Sequence, residues 1–430
     1  MTSSYTISLN MIVKNESHII FNTLDHLTSI FKFDYWLICD TGSTDETKKI
    51  ITTFFKEKKI PGEIIDIEWN GFGKARTYAL DCVYTKTDYV LIFDADDKLH
   101  GNFKKPLTLN KDKYLFKFNK RNTYYRPLIL NNKIRWQFNG ILHEYLENMD
   151  ILEKGVEYVS DDFYIESGRN GFRNKNKNKY LDDASLLEKE IINNKKTLEK
   201  RLYNRYVYYC AQSYYDAGLL EKSLFYFKKV LELKNWIQEK YVACLTIGDI
   251  YKKQNMIYNA LIYWEGSLQM DCTRLEGIER LITYYYFEKK HIDVLKIYKK
   301  YKNIKQIKTK NQYLLLDNQA YYNIRYFVCV SAYYVEELQE GFECCKKLIL
   351  NDYEFDFKNI YYNMSYYFKS NINPRLDIEL IKKITKKIND IIESDKKLAK
   401  VLWDYVKDVI MPHDYLLLSI KFKQYKVKIY

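Results

Sequence analysis

Carboxylates gather at two points of this sequence, each directly after an apolar run. Tyr89–Asp97 reads YVLIFDADD, five apolar residues followed by three carboxylates with one alanine between them. Charges at the end of a buried strand are expensive to desolvate and repel one another, so the arrangement calls for a cation. Asp94 and Asp96 are spaced to reach one hard divalent ion, Mn2+ or Mg2+, which takes one or two protein carboxylates and completes its shell with phosphate oxygens and water. That points to a diphosphate. The second point is DTGSTDET, Asp40–Thr47, after the run YWLIC. Here Thr41-Gly42-Ser43 makes a tight turn and Thr44-Asp45 caps a helix, leaving Asp40 free to accept hydrogen bonds from a ligand. Neither the G-x-x-x-x-G-K-[ST] loop nor the G-x-G-x-x-G fingerprint occurs in the chain.

The elements that hold these points are legible from periodicity. YTISLNMIV, YWLICD, GEIIDIEW and YVLIF read as strands, with helical patterns in SHIIFNTLDHLTSIF, DETKKIITTFFKEKK and GKARTYALDCVY between them. Strand and helix alternating in this way predict a parallel sheet with right-handed crossovers, in which ligands bind beyond the carboxyl ends of the strands. Residues 113–165 are rich in alternating aromatics and predict antiparallel strands that extend the sheet, turning at Asn131-Asn132. The polar stretch SGRNGFRNKNKNK then marks a change of character. The expected organisation is an α/β domain over 1–168, a linker over 169–178 and an all-α domain over 179–430.

Within the helical part, AQSYYDAGLLEKSLFYFKKVLEL aligns with GDIYKKQNMIYNALIYWEGSLQM, matching Tyr214 to Tyr251 and Leu231 to Leu268, and YYFEKKHIDVLKIYKKYK follows as a third copy. Repeats of this length predict stacked helix pairs of tetratricopeptide type, with the tyrosines as packing residues. Hydrophobic residues at 47% and aromatics at 17% exclude a disordered chain. The net charge of +13 is unevenly placed: residues 1–168 carry 22 Lys and Arg against 24 Asp and Glu, so the excess lies in the helices. Spread along helices and not in blocks, it reads first as a Lys-, Asn-, Ile- and Tyr-rich style of composition and argues against nucleic acid as a partner; the functional reading is a surface that orients an acidic acceptor, a homodimer interface being its rival. Eight cysteines without C-x-x-C spacing predict reduced core thiols. No signal-like or membrane-spanning run occurs, so a soluble cytoplasmic protein is expected.

In their order and spacing, MIVKNES, ICDTGSTDET, FGKARTYAL and LIFDADD resemble the inverting family 2 glycosyltransferases of GT-A fold, a Rossmann-like domain with a mixed sheet. KYLDDASLLEKE and YYCAQSYYDAG resemble the helical tail of a subgroup of those enzymes. The composition resembles proteins of AT-rich genomes, including large DNA viruses of amoebae, which would place the protein in a host cytoplasm. The resemblance implies a UDP-sugar donor, with Asp40 accepting the uracil N3–H, the backbone near Ile12 and Val13 lining the base, and Arg76 contacting the base or diphosphate. It further implies that Asp94 meets the ribose or metal-bound water and that Asp96 ligates Mn2+ between the phosphates.

Inverting transfer needs a general base on the acceptor side. Glu144 in GILHEYLE is the leading candidate, with His143 beside it as a metal or phosphate contact and Asp97 as the main rival. Asp150 and Asp161 are further candidates. Arg135-Trp136 lacks the glutamine of the processive Q-x-x-R-W signature, so a single addition to a glycan, protein or small molecule is expected. The reading from another class is a binding scaffold built on the repeats, with a degenerate nucleotide site.

Overall fold

A computed structural model describes residues 5–101, 109–151, 153–159, 163–168, 170–195, 197–303, 316–317, 319–351, 357–370 and 377–427. The chain forms two compact units, Met1–Ala260 with Lys308–Asp317, and Leu261–Ile307 with Asn318–Tyr430.

The first unit opens with the alternation expected: β1 (Ile7–Val13), α1 (Ile20–Ile30), β2 (Tyr35–Asp40), α2 (Thr47–Lys58), β3 (Gly62–Asp66), α3 (Phe72–Val83) and β4 (Tyr89–Ile92). The strands pair in the order β3-β2-β1-β4, all parallel. β1 is buried almost throughout because both faces of the sheet are covered, its polar residues Ser8 and Asn10 included. Leu9, Met11 and Val13 pack with Ile20 and Leu24 of α1 and Phe54 and Phe55 of α2 on one face. Leu37 and Cys39 pack with Ala79, Leu80 and Val83 of α3 on the other.

The chain continues through β5 (Lys98–His100), β6 (Lys113–Phe118), β7 (Asn122–Asn131), β8 (Trp136–Asn139), β9 (Tyr145–Asn148), β10 (Val156–Val159) and β11 (Tyr164–Glu166). β7 joins the sheet antiparallel to β4 and to β6, while β10 and β11 run parallel to β6, making the sheet mixed. The expected hairpin turn at Asn131-Asn132 is displaced. β6 and β7 are joined at 119–121, where Asn119 takes φ 54°, and Asn131-Asn132 is a corner by which the chain leaves the sheet. The corner side chains explain this: Asn131 Nδ2 donates to Asp112 and Asn132 Nδ2 donates to the Val83 carbonyl, so both amides fasten the corner to the domain. β8 then pairs with β9 as a separate ribbon.

A 3-10 turn at Phe172–Lys175 and four helices follow in this unit, α4 (Lys179–Asn193), α5 (Lys200–Asp216), α6 (Leu220–Glu232) and α7 (Ile237–Lys253), and the short strand Leu316–Asp317 returns to pair antiparallel with β7. α8 (Ile257–Met270) crosses the division, and the second unit goes on with α9 (Glu276–Phe287), α10 (His291–Tyr301), α11 (Ala320–Tyr334) and α12 (Leu338–Leu350) and then further helices to Gln424. The repeat has a backbone signature. Gly218, Asn255, Lys289 and Glu336 all adopt φ between 58° and 78°, each two residues after one helix and two before the next. The first three are spaced as the sequence alignment requires, and the left-handed turn at one fixed place is what reverses the chain in each pair. Tyr214 and Tyr226 are buried and bring their hydroxyls to Glu188, as packing tyrosines with polar tips do. The fold is thus a GT-A-like α/β domain followed by an all-α, tetratricopeptide-like region. All eight cysteines are free thiols, and among the described residues no helix is long and apolar enough to cross a membrane.

Candidate active site

The turns after β1 and β2 form one clasp. Val13 is in register with Asp40, and its carbonyl accepts from both the N–H and the hydroxyl of Thr41 at 3.0 Å. Asn15 donates its N–H to Ser43 Oγ at 2.9 Å and accepts from the Thr44 N–H at 2.8 Å, while the Glu16 N–H donates to Thr47 Oγ1. Asp40 is fully buried. Its Oδ1 accepts from the N–H groups of Gly42 and Ser43 at 2.8 and 2.6 Å, a turn for which Gly42 supplies φ 100°. Its Oδ2 is buried with no partner among the described residues. A carboxylate oxygen in that state bears the whole desolvation penalty until a donor arrives.

Beyond β4 the carboxylates separate into different environments. Asp94 lies between two guanidinium groups: Arg76 Nη2 donates to Oδ1 at 2.6 Å and Arg126 Nη2 to Oδ2 at 3.2 Å. Arg76 also donates through Nε to Glu144 Oε1 at 2.8 Å, and Arg126 Nη1 stands 3.8 Å from Asp97 Oδ2. Burial alone would raise the Asp94 carboxyl, but the two arginines outweigh it and hold it well below the usual carboxylate range. Burial, reinforced by the Asp94 charge, instead pushes Asp97 up to about 7, against the pull of Arg126 and the Gly168 N–H.

Arg76 reaches Glu144 because α3 is pinned on both sides. Asn10 Nδ2 donates to the Ala79 carbonyl at 2.9 Å, and the Phe138 N–H donates to Thr77 Oγ1 at 2.9 Å. Gly73 lies so close to the ribbon that a Cβ there would stand 2.3 Å from the Gly140 carbonyl oxygen. Helix α5 grips the same turn from outside. Tyr206 accepts the Ile141 N–H at 2.9 Å, and Arg205 Nε donates to the His143 carbonyl at 2.7 Å. His143, at φ 51°, stacks on Tyr209 with ring centroids 3.9 Å apart. Packing there and the charges of Arg205, Arg173 and Lys179 lower its pKa, so the imidazole is neutral.

Asp96 points elsewhere, accepting through Oδ2 from the Gly171 N–H at 3.1 Å and from Asn174 Nδ2 at 3.4 Å. Glu16 comes to the same place: a Cβ on Gly171 would lie 2.9 Å from Asp96 Oδ2 and 3.3 Å from Glu16 Oε1. Glu16 Oε2 is buried without a partner among the described residues, and burial together with Asp96 raises its pKa. No cation pairs with either carboxylate among the described residues. This cradle offers two hard oxygen ligands short of positive charge, which fits a divalent ion that draws its remaining ligands from phosphate and water. No group of three or more His, Cys, Asp or Glu gathers as a metal cage among the described residues.

The structure therefore brings Arg76, Asp94, Asp97 and Glu144 into one network. No hydrogen bond or ion pair joins His143 to Asp94 or Asp96. Ile12 and Val13 end β1 beside the Asp40 turn, Asp150 accepts the Arg135 N–H at the base of the ribbon, and Asp161 lies outside the described residues. Arg126, Glu16, Gly171, Asn174 and Arg205 escaped the sequence reading. Glu16 sits inside the quoted MIVKNES, so a carboxylate directly after a strand could have flagged it. The others carry no local signal.

Residues 8–115 match the family model described as Glycosyl transferase family 2. Among solved structures, the chain resembles glucosyl-3-phosphoglycerate synthase from Mycobacterium tuberculosis, in complex with Mn2+, UDP and glucosyl-3-phosphoglycerate, at 21% identity over 23% of this chain and 36% of that one, TM-score 0.19. It also resembles S. aureus TarS residues 1–349 in complex with UDP-GlcNAc, at 14% identity over 60% of this chain and 90% of that one, TM-score 0.32. A third likeness is to a tetratricopeptide repeat protein from Parabacteroides merdae, at 11% identity over 58% and 87% of the two chains, TM-score 0.31. The chain thus spans about a third of the length of the synthase. No curated protein matches it.

Proposed function

We propose that the protein moves one sugar, with inversion at the anomeric carbon, from a UDP-sugar to a hydroxyl of a glycan, protein or small-molecule acceptor. The observation that carries this reading is Asp40, whose buried, unpartnered Oδ2 stands ready for the N3–H of uracil beside the backbone of Ile12 and Val13. Asp96 and Glu16 would hold Mn2+ or Mg2+, with Asp94 on the ribose side. The ion, when bound, stabilises the negative charge that develops on the departing diphosphate. Glu144 serves as general base: its Oε1 is fixed by Arg76, and Oε2, unbonded among the described residues, takes the acceptor proton. Asp97 is the second candidate, since a carboxyl that titrates near neutrality can carry a proton in either direction. His143 acts by shaping the Glu144 turn. The free thiols favour work in a reducing cytoplasm.

Calorimetry on the full-length protein tests this with UDP, GDP and TDP, each with Mn2+ and with chelator. UDP should bind best, require the metal, and lose both properties in Asp96→Ala. A preference for GDP, or undiminished affinity in chelator, would overturn the assignment of Asp40 or of Asp96 respectively.

A further inference from the structure

Beside β4 lies a cavity of about 280 Å³ whose charges the network above does not exhaust. Asp94, Asp97 and Glu144 line it together with Lys113, Arg126 and Arg205. Arg126 is spent on Asp94 and Asp97, and Arg76 on Asp94 and Glu144. Lys113 and Arg205 are left over, and no carboxylate forms an ion pair with either among the described residues.

Both are held in ways that leave their charge available. Lys113 is half-buried with its ammonium 5.7 Å from the centre of the Trp136 ring, and burial lowers its pKa below that of an ordinary lysine. Arg205 is fixed through Nε on the His143 carbonyl and by its face, 4.8 Å from the Tyr209 ring centre and 5.5 Å from that of Tyr145. Its two Nη groups make no hydrogen bond among the described residues. A guanidinium edge presented in this way matches a phosphate or carboxylate, and a desolvated cation without a partner favours any anion that can reach it.

We propose that Lys113 and Arg205 form an anion subsite on the acceptor side of this cavity, so that the protein glycosylates an acceptor bearing a phosphate or carboxylate group. The proposal rests on the transferase reading above. The donor's own diphosphate offers the same chemistry, and the experiment must separate the two sources.

Full-length protein is titrated calorimetrically with inorganic phosphate, first alone and then saturated with UDP and Mn2+. Phosphate should bind in both states and be displaced by glycerol 3-phosphate but not by glycerol. Its affinity should fall about tenfold or more in Lys113→Met and in Arg205→Gln, the loss of one charge-assisted contact, with UDP affinity within about twofold of the parent. Arg205→Lys should recover much of the affinity, a rescue by charge that a purely structural role would not give. Phosphate binding that vanishes when UDP fills its site assigns the two cations to the donor diphosphate and overturns the acceptor subsite. Phosphate binding absent from the free protein, or indifferent to both substitutions, overturns it as well. Failure of UDP to bind removes the transferase reading and this proposal with it, whereas lost phosphate binding with UDP binding intact removes the subsite alone.

Discussion

The ends of β2 and β4 solve the same problem, a carboxylate at the top of a buried strand, by opposite means. Asp40 is held by N–H groups two and three residues further along its own turn. Asp94 is held by Arg76 and Arg126, which lie 18 and 32 residues away and come from a helix and an antiparallel strand. The first arrangement is built by local backbone geometry and leaves one oxygen unsatisfied, as a site awaiting a ligand. The second is built by tertiary folding and is already balanced by charge, so its loss should be felt by the fold before it is felt by any ligand.

That contrast makes Arg76 the largest expected effect. Arg76→Gln leaves Asp94 and Glu144 short of a buried partner, and breaking a buried ion pair from one side costs about 3–5 kcal/mol. A drop in denaturant midpoint of that size, with transfer abolished, is the expected result; an unchanged midpoint would show that solvent already screens the pair. Asp40→Asn should do the reverse. The amide oxygen still accepts from Gly42 and Ser43, so the midpoint should hardly move, while UDP affinity falls roughly tenfold to a hundredfold because an N–H donor now faces the uracil N3–H.

Asp97 sharpens the comparison through pH. Its folded-state pKa is raised from the ordinary carboxylate value to about 7, so the native state binds its proton more tightly than the unfolded chain. The stabilisation is therefore complete below about pH 4 and is lost as pH rises towards 7. Thermal melts of the parent and of Asp97→Asn should agree in acid, then diverge across that window with the variant the more stable, and run parallel above it. If the variant keeps transfer activity, Glu144 is the base; if a rate limb near pH 7 disappears together with activity, Asp97 is.

The same local-to-tertiary distinction governs what could be read in advance. DTGSTDET announced its strand end, turn and helix cap because each device acts within a few residues, and the parallel sheet followed from alternation. Asp94 and Asp96 were visible as a pair, yet nothing in LIFDADD reveals that one faces two arginines and the other faces Glu16 across Gly171. Arg126, in YYRPL, looks like any strand arginine until β7 is placed beside β4. The stretch SGRNGFRNKNKNK read as a linker because its composition is polar and turn-rich. Gly171 and Asn174 within it bond to Asp96, a contact 75 and 78 residues distant in sequence. The repeat was legible for the opposite reason, since each left-handed turn is reset locally in every copy.

The smallest expected effect lies where helix α5 meets the ribbon, and it asks whether that contact matters to the chemistry. Tyr206 accepts the Ile141 N–H at 2.9 Å, three residues before Glu144, and Tyr206 itself is buried. Tyr206→Phe removes the acceptor without changing the shape of the ring, leaving an N–H unpaired at about 1 kcal/mol. The Ile141 amide should then exchange with solvent faster while amides in β1 and β2 are unaffected, and UDP affinity should stay as it was. If the turn is braced so that Glu144 meets the acceptor in register, transfer should fall several-fold through kcat with donor KM unchanged, because a base displaced by a fraction of an ångström loses effectiveness before its site loses shape. Faster exchange at Ile141 with transfer untouched would mean that Arg76 and the Arg205 bond to His143 orient Glu144 without the Tyr206 contact, and that Tyr206 contributes to the fold of this unit and nothing to its chemistry.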